Sequence, residues 1–302
     1  MIVGIKITMK KITYKLFFLI SLFMFILFLH PLSRCALSKE FLWENNYGGI
    51  QADISAEIIL SGEKNFIIVG ETHSKGAGNS DAWVLKLDEE GNILWDKTYG
   101  GEENDGAFSV VEAEGQSYII CGYTWSNGKG KDDGWVIKID QNGKVLWERT
   151  FGKDDRDRLY SLIGDHDKGY VAVGYTDRVF CSLCSEQGYV WVIKMDETGE
   201  QIWEKKFGGS TYDMAYDLIQ HEEEGYVIVA KTKDKLKETS AACLLKLDQK
   251  GNIEDRILID RDKDNYFKSI TKSKDEEYYF VIGDTWSKSI GNSDIWLMKL
   301  TK

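Results

Sequence analysis

Four aspartates recur at one place in a repeated sequence, Asp53, Asp105, Asp157 and Asp213, with Asn265 in the fifth copy. Repeated carboxylates around a channel mouth could hold Ca²⁺, which takes six to eight oxygens. Two of them facing an open cleft could hydrolyse a glycan. A third role is structural, because an Asp side chain readily bonds the backbone of its own turn. Repetition favours the third role, since a reactive site breaks symmetry whereas a turn cap is reused in every copy.

Other side chains carry little catalytic signal. The four histidines, His30, His73, His166 and His221, include no pair at metal-ligand spacing. There is no Gly-x-Ser-x-Gly elbow and no Gly-rich loop before a helix. The Cys181-Ser-Leu-Cys184 loop reads as a local disulfide in an exported protein. Zinc would require two further ligands, and a redox role would require a strand-to-helix context. Cys121 and Cys243 stand in apolar runs and read as inert core thiols. Catalytic residues and a resident cofactor are therefore not expected, with Ca²⁺ at the four aspartates the one ion left open.

The copies disagree at one loop position, occupied in turn by His73, Trp125, Asp177, Lys233 and Trp286. In a closed ring the fifth, first and second copies are neighbours, so Trp286, His73 and Trp125 would form one aromatic arc. Aromatic rings beside carboxylates suit a sugar or a protein partner. These three residues are the expected ligand-binding site. Asp81, Asp133 and Asp294, just before the tryptophan of the next strand, read as turn locks.

The elements that must position these residues are legible as a repeat. An apolar run ends in a small residue at Gly70, Gly122, Gly174, Ala230 and Gly283, at intervals of 52, 52, 56 and 53 residues. The next run begins at Trp83, Trp135, Trp191, Cys243 and Trp296, and a third carries Trp43, Trp95, Trp147 and Trp203. A fourth begins at each repeated aspartate. Each copy holds four short β-branched and aromatic runs bounded by Gly, Asn, Asp or Ser, which are strand and turn signals. Four strands per unit of about 52 residues is the pattern of a propeller blade. The strands are named A (from the aspartate), B, C and D in chain order.

The expected fold is all-β, a five-bladed β-propeller of four-stranded antiparallel blades spanning 39–302. The blades are placed at 53–99, 105–151, 157–207, 213–259 and 265–302. The last blade lacks a D strand, and residues 41–48 have the sequence of one, so the N-terminal strand is expected to complete that blade and close the ring, removing exposed edges. Eight of the ten tryptophans occupy two repeat positions and read as blade-to-blade packing. Blade four, with Cys243 and Asp255 in place of tryptophan, is expected to be locally less stable.

Residues 1–38 differ in kind. Lys6, Lys10, Lys11 and Lys15 precede an apolar run, Leu16 to Leu29, shorter than the ~20 residues a membrane span needs. Ala36-Leu37-Ser38 offers a cleavage site, so the segment reads as a signal peptide. An uncleaved anchor or a lipidated Cys35 are the alternative links to a membrane. Removing the segment takes five basic residues and no acidic one, moving the net charge from −11 to −16. Such a surface repels nucleic acid. A secreted or surface-held monomer is expected.

The turn from Asp140 to Trp147, echoed at Asp88 to Trp95 and Asp196 to Trp203, resembles the Asp-x-x-Gly-x-x-x-Trp docking motif of quinoprotein-type propellers. Over residues 41–302 the unit is more similar to the secreted bacterial and archaeal β-propeller repeat family, whose copies read Gly-Tyr-x-x-x-Gly-Tyr-Thr and then Trp-x-x-Lys-Leu-Asp. That resemblance implies the fold and an exported or surface setting. Five copies depart from the eight shorter blades of quinone-dependent dehydrogenases, and no vicinal-cysteine ring clamp is found, so no quinone is expected. The functional expectation is a non-catalytic binding or scaffold protein recognising a glycan or protein on its top face. The alternatives are an extracellular carbohydrate-active hydrolase using paired carboxylates, or a purely structural repeat protein.

Overall fold

Runs of β-branched and aromatic residues broken by Gly, Asn and Asp become strands joined by tight turns. The computed structural model describes residues 42–62, 64–179, 188–209, 213–221, 225–233, 239–275, 277–287 and 292–302. The chain divides into two compact units, Met1–Glu44 and Asn45–Lys302, and every strand described below belongs to the second. The expected signal segment, Cys35, and the Cys181–Cys184 loop lie outside the described residues.

Blade one is β1 (Asp53–Ser61), β2 (Asn65–Thr72), β3 (Asp81–Leu87) and β4 (Ile93–Tyr99). Blade two is β5 (Asp105–Ala113), β6 (Ser117–Thr124), β7 (Asp133–Ile139) and β8 (Val145–Phe151). Blade three is β9 (Arg156–Gly164), β10 (Tyr170–Arg178), β11 (Tyr189–Met195) and β12 (Gln201–Gly208). Blade four is β13 (Met214–His221), β14 (Gly225–Lys233), β15 (Ser240–Asp248) and β16 (Ile253–Ile259). Blade five is β17 (Asn265–Lys272), β18 (Tyr278–Thr285) and β19 (Asp294–Thr301). Each is an antiparallel meander in which neighbours in sequence pair in space. The result is the expected all-β, five-bladed propeller architecture.

The small residue ending strand B has a structural cause. It pairs with the strand-C tryptophan in four blades, as in Gly70 with Trp83 and Gly122 with Trp135. Beside it, strand A is bulged, between Ala107 and Ser109 in blade two, and the bulge pushes a carbonyl toward strand B. A Cβ at Gly122 would lie 1.9 Å from the Gly106 carbonyl oxygen, and one at Gly174 would lie 1.8 Å from that of Arg158. No side chain fits there. Blade four alone has an alanine, Ala230, opposite Cys243.

The core lies between consecutive sheets. Ile67, Val69, Ala82 and Val84 of blade one meet Ala107, Val110, Tyr118, Ile120, Trp135 and Ile137 of blade two. The same repeat positions join blades two and three, three and four, and four and five. Trp83, Trp135 and Trp191 are buried. The strand-D tryptophans reach the next blade's C–D turn, Trp95 Nε1 donating to the Gln141 carbonyl at 3.0 Å and Trp203 Nε1 to that of Gln249 at 3.2 Å. Where blade four lacks the strand-C tryptophan, a cavity of about 220 Å³ remains, lined in part by Cys243, Val190, Phe207 and Arg256.

The fifth blade departs from expectation. Residues 42–50 hold no strand, and β17, β18 and β19 form a three-stranded sheet. Closure of the ring by the N-terminal segment is thus not shown. The faces that would meet are exposed. Ile58 of blade one is 58% exposed and Leu297 of blade five 66%, whereas their counterparts in blade two, Val110 and Val136, are 1% and 0% exposed. Tyr47 Oη donates to the Gly91 carbonyl at 2.6 Å, repeating the bond of Tyr99 Oη to the Gly143 carbonyl at 2.7 Å. Residue 47 therefore sits on blade one as a strand-D residue sits on the next blade, without the strand hydrogen bonds.

Candidate functional site

Strand A is innermost in each blade, and it enters from the D–A loop. The repeated aspartates stand at that entry and are engaged by their own loops. Asp105 Oδ2 accepts from Gly101 N at 2.8 Å and Ser126 Oγ at 2.6 Å. Asp157 accepts from Lys153 N at 3.0 Å and Asp177 N at 2.8 Å, and from Thr176 Oγ1. Asp213 accepts from Gly209 N at 2.7 Å and Lys233 N at 2.9 Å. Asp53 accepts from Gly49 N at 2.8 Å, Ser74 Oγ at 2.9 Å and Thr72 Oγ1. Asn265 replaces the carboxylate with an amide oxygen accepting from Thr285 Oγ1. Asp105, Asp157 and Asp213 are fully buried. Each carboxylate ties the D–A loop to the end of strand B. Among the described residues no group of three or more His, Cys, Asp or Glu could hold a metal.

Burial and hydrogen bonding compete at these carboxyls. At Asp53 burial pushes the pKa up, but the bonds from Thr72, Gly49 and Ser74 together bring it below its ordinary value. At Asp157 burial prevails and the pKa is raised. Asp81 and Asp133 lock their loops as expected. Gly78 N donates to Asp81 at 3.1 Å, and Lys129 N and Gly130 N donate to Asp133 at 3.0 Å each. Burial raises both pKa values.

Inside this collar runs a feature the sequence reading missed. Half-buried rings on the strand-A starts form a continuous line across four blades. Ring centroids are 5.0 Å apart for Phe108 and Tyr160, 6.0 Å for Tyr160 and Tyr216, and 5.6 Å for Tyr216 and Tyr266. The line ends on Trp286, 5.7 Å from Tyr266. Tyr123 and Tyr175, from the ends of β6 and β10, lie against it at 5.5 Å and 5.8 Å. The signal was present in the strand-A strings, where Phe108, Tyr160 and Tyr216 share one repeat position.

Charged groups border the rings. Arg158 lies over Tyr123 at 3.8 Å, Arg178 over Tyr175 at 5.0 Å, and Lys231 over Tyr266 at 4.9 Å. Arg158 also pairs with the buried Asp132. Tyr123 Oη donates to Glu71 at 2.9 Å, and Tyr266 Oη to Asp284 at 2.9 Å. Burial and the Glu71 charge push Tyr123 up to about 12. Burial and the bond to Asp284 push Tyr266 up to about 12. Burial also raises Tyr160, Tyr175 and Tyr216. All five phenols are protonated donors at neutral pH.

The three expected ligand-binding residues fall at the margins of this line. Trp286 is its terminal ring. His73 Nε2 is 3.1 Å from Glu71 Oε1, and Glu71 in turn accepts from Tyr123. Trp125 lies under Arg156, 5.2 Å from ring to guanidinium, and its indole N–H is buried with no acceptor. Adjacency of Trp286 to His73 depends on blade five meeting blade one, which the structure does not show. The rings that do touch are those on strand A.

No family model matches the sequence, and no curated protein matches it. Solved structures resemble the fold. An apocarotenoid oxygenase variant from Synechocystis is 9% identical with a TM-score of 0.50, over 84% of this chain and 63% of that one, so the match spans less than two thirds of the oxygenase. An endo-arabinase from Bacteroides thetaiotaomicron is 9% identical, TM-score 0.44, over 84% and 98% of the two chains. The β-propeller domain of the Trilobed protease from Pyrococcus furiosus, described as having an open velcro topology, is 12% identical, TM-score 0.45, over 83% and 70%. These are likenesses to a β-propeller fold.

Proposed function

We propose that the protein is an exported, non-catalytic propeller of the repeat family its sequence resembles, and that it binds a glycan at the top end of its channel. The line of half-buried rings from Phe108 to Trp286 carries this reading. Aromatic faces accept the C–H faces of a sugar ring, while bordering phenols, Glu71, Asp284 and Arg178 offer partners for its hydroxyls. A binding site built this way needs neither a metal nor a nucleophile. The hydrolase alternative is less well served, because its four candidate acids bond their own loops.

A glycan array probed with wild type, Trp125→Ala and Trp286→Ala tests the reading. The expected result is one class of glycan retained by wild type and lost from Trp286→Ala, with thermal unfolding of that variant within a few degrees of wild type. Retention unchanged in both variants, or an array without signal, would contradict it.

A further inference from the structure

The rings line four blades almost evenly, but the charges around them do not. Immediately after the small residue ending strand B come Glu71, Tyr123, Tyr175, Lys231 and Asp284 in blades one to five. Acidic groups thus fall on blades five and one, where Tyr266, Lys268 and Tyr123 engage them. Basic groups fall on blades three and four. Arg158 and Arg178 flank the ring line on the Tyr123 and Tyr175 side, and Lys231 flanks it at Tyr266. Between them lie Tyr160 and Tyr216, stacked at 6.0 Å with planes 24° apart. Tyr175 touches Tyr160 and Tyr266 touches Tyr216, so Arg178 and Lys231 lie over the rings on either side of this pair, in a chain whose net charge is −11.

We propose that this basic sector binds the carboxylate of an acidic sugar, a uronate residue within a glycan, whose ring lies on Tyr160 and Tyr216; the proposal rests on the glycan reading above. In a uronate the carboxylate projects from the edge of the sugar ring. A sugar lying on the tyrosine faces would therefore direct it sideways, toward the neighbouring rings Tyr175 and Tyr266 over which Arg178 and Lys231 lie. An arginine offers a planar pair of donors matched to a carboxylate. Lys231 is already disfavoured as a cation. Burial lowers its pKa against the pull of Asp264, and Arg178 and Lys233 lower it further. An anion placed there relieves that cost. A single negative charge fits better than a phosphate dianion, because Asp132 already pairs with Arg158 and Asp284 accepts from Tyr266.

Calorimetric titration of the purified protein with trisaccharides of galacturonate, glucuronate and mannuronate, each beside its neutral C6-alcohol counterpart, tests the proposal. At least one uronate is expected to bind about tenfold or more tightly than its counterpart, a preference that falls as salt rises from about 0.05 to 0.5 M. Lys231→Met and Arg178→Gln should each bring the ratio toward one, and Lys231→Arg should restore it. Unfolding temperatures identify any variant that loses binding by losing its fold. Equal affinity for charged and neutral trisaccharides would overturn the acidic-sugar proposal and leave the glycan reading standing. A preference surviving in both charge-removing variants would overturn the assigned residues. Binding of none of the six would overturn both proposals.

Discussion

A side chain that recurs from blade to blade is shaped by its turn, as the C–D aspartates of blades one to four demonstrate. Asp140 Oδ1 accepts from Asn142 N at 2.8 Å and Lys144 N at 2.9 Å, and Asp88, Asp196 and Asp248 repeat the pattern. The following Gly143 holds a left-handed φ of 73°, as do its counterparts at 75–80°. The bonds from Lys144 and Asn142 hold the Asp140 carboxyl below its ordinary value of 3.8. A depressed carboxyl stabilises the fold above its unfolded pKa, and that stability is lost as pH falls through the folded one. Asp140→Asn should therefore be less stable than wild type at pH 7, with the difference shrinking below about pH 3.8. Urea unfolding at pH 7, 4 and 2.5 checks this; a difference constant with pH would contradict it.

At the scale of the element, strands B and C are one device. Truncating a buried tryptophan such as Trp191 to alanine should cost ~3–5 kcal/mol. The glycine opposite each such ring is equally constrained, by the bulged strand A rather than by the indole. Gly122→Ala should cost about 1–3 kcal/mol, since the added Cβ collides with backbone. An unchanged urea midpoint would show that the bulge yields. Blade four lacks both partners, and a pocket of about 220 Å³ is lined by Cys243. These features were legible because repetition exposes what every copy needs. The ring line was not. Phe108, Tyr160 and Tyr216 stand three residues after the strand-A aspartate, but in blade five that place is Lys268 and the ring comes from Tyr266, two residues earlier. Three copies carry the mark, but blade one has Ala56 there and blade five supplies its ring from a shifted position, so the repeat alone does not single out the line.

For the whole molecule, four interfaces are built and the material for a fifth is present. Ile58, Ile282, Ile295 and Leu297 are exposed although each occupies a position that is core elsewhere. Burying such side chains is worth roughly 1.5–3 kcal/mol apiece. We expect blades five and one to meet in solution. Ile58→Lys should then lower stability by an amount comparable with Val110→Lys. An unfolding midpoint unmoved by Ile58→Lys would show that the seam stays open.

Whether a ligand sits on the ring line can be read along the backbone. Hydrogen exchange of wild type, with and without the glycan it retains best, compares every blade at once. Protection is predicted where β9, β13 and β17 begin and where β6 and β10 end, beneath Tyr160, Tyr216, Tyr266, Tyr123 and Tyr175. Protection confined to blade one around Trp83, or to the outer strands β8, β12 and β16, would place the ligand elsewhere and contradict the central claim.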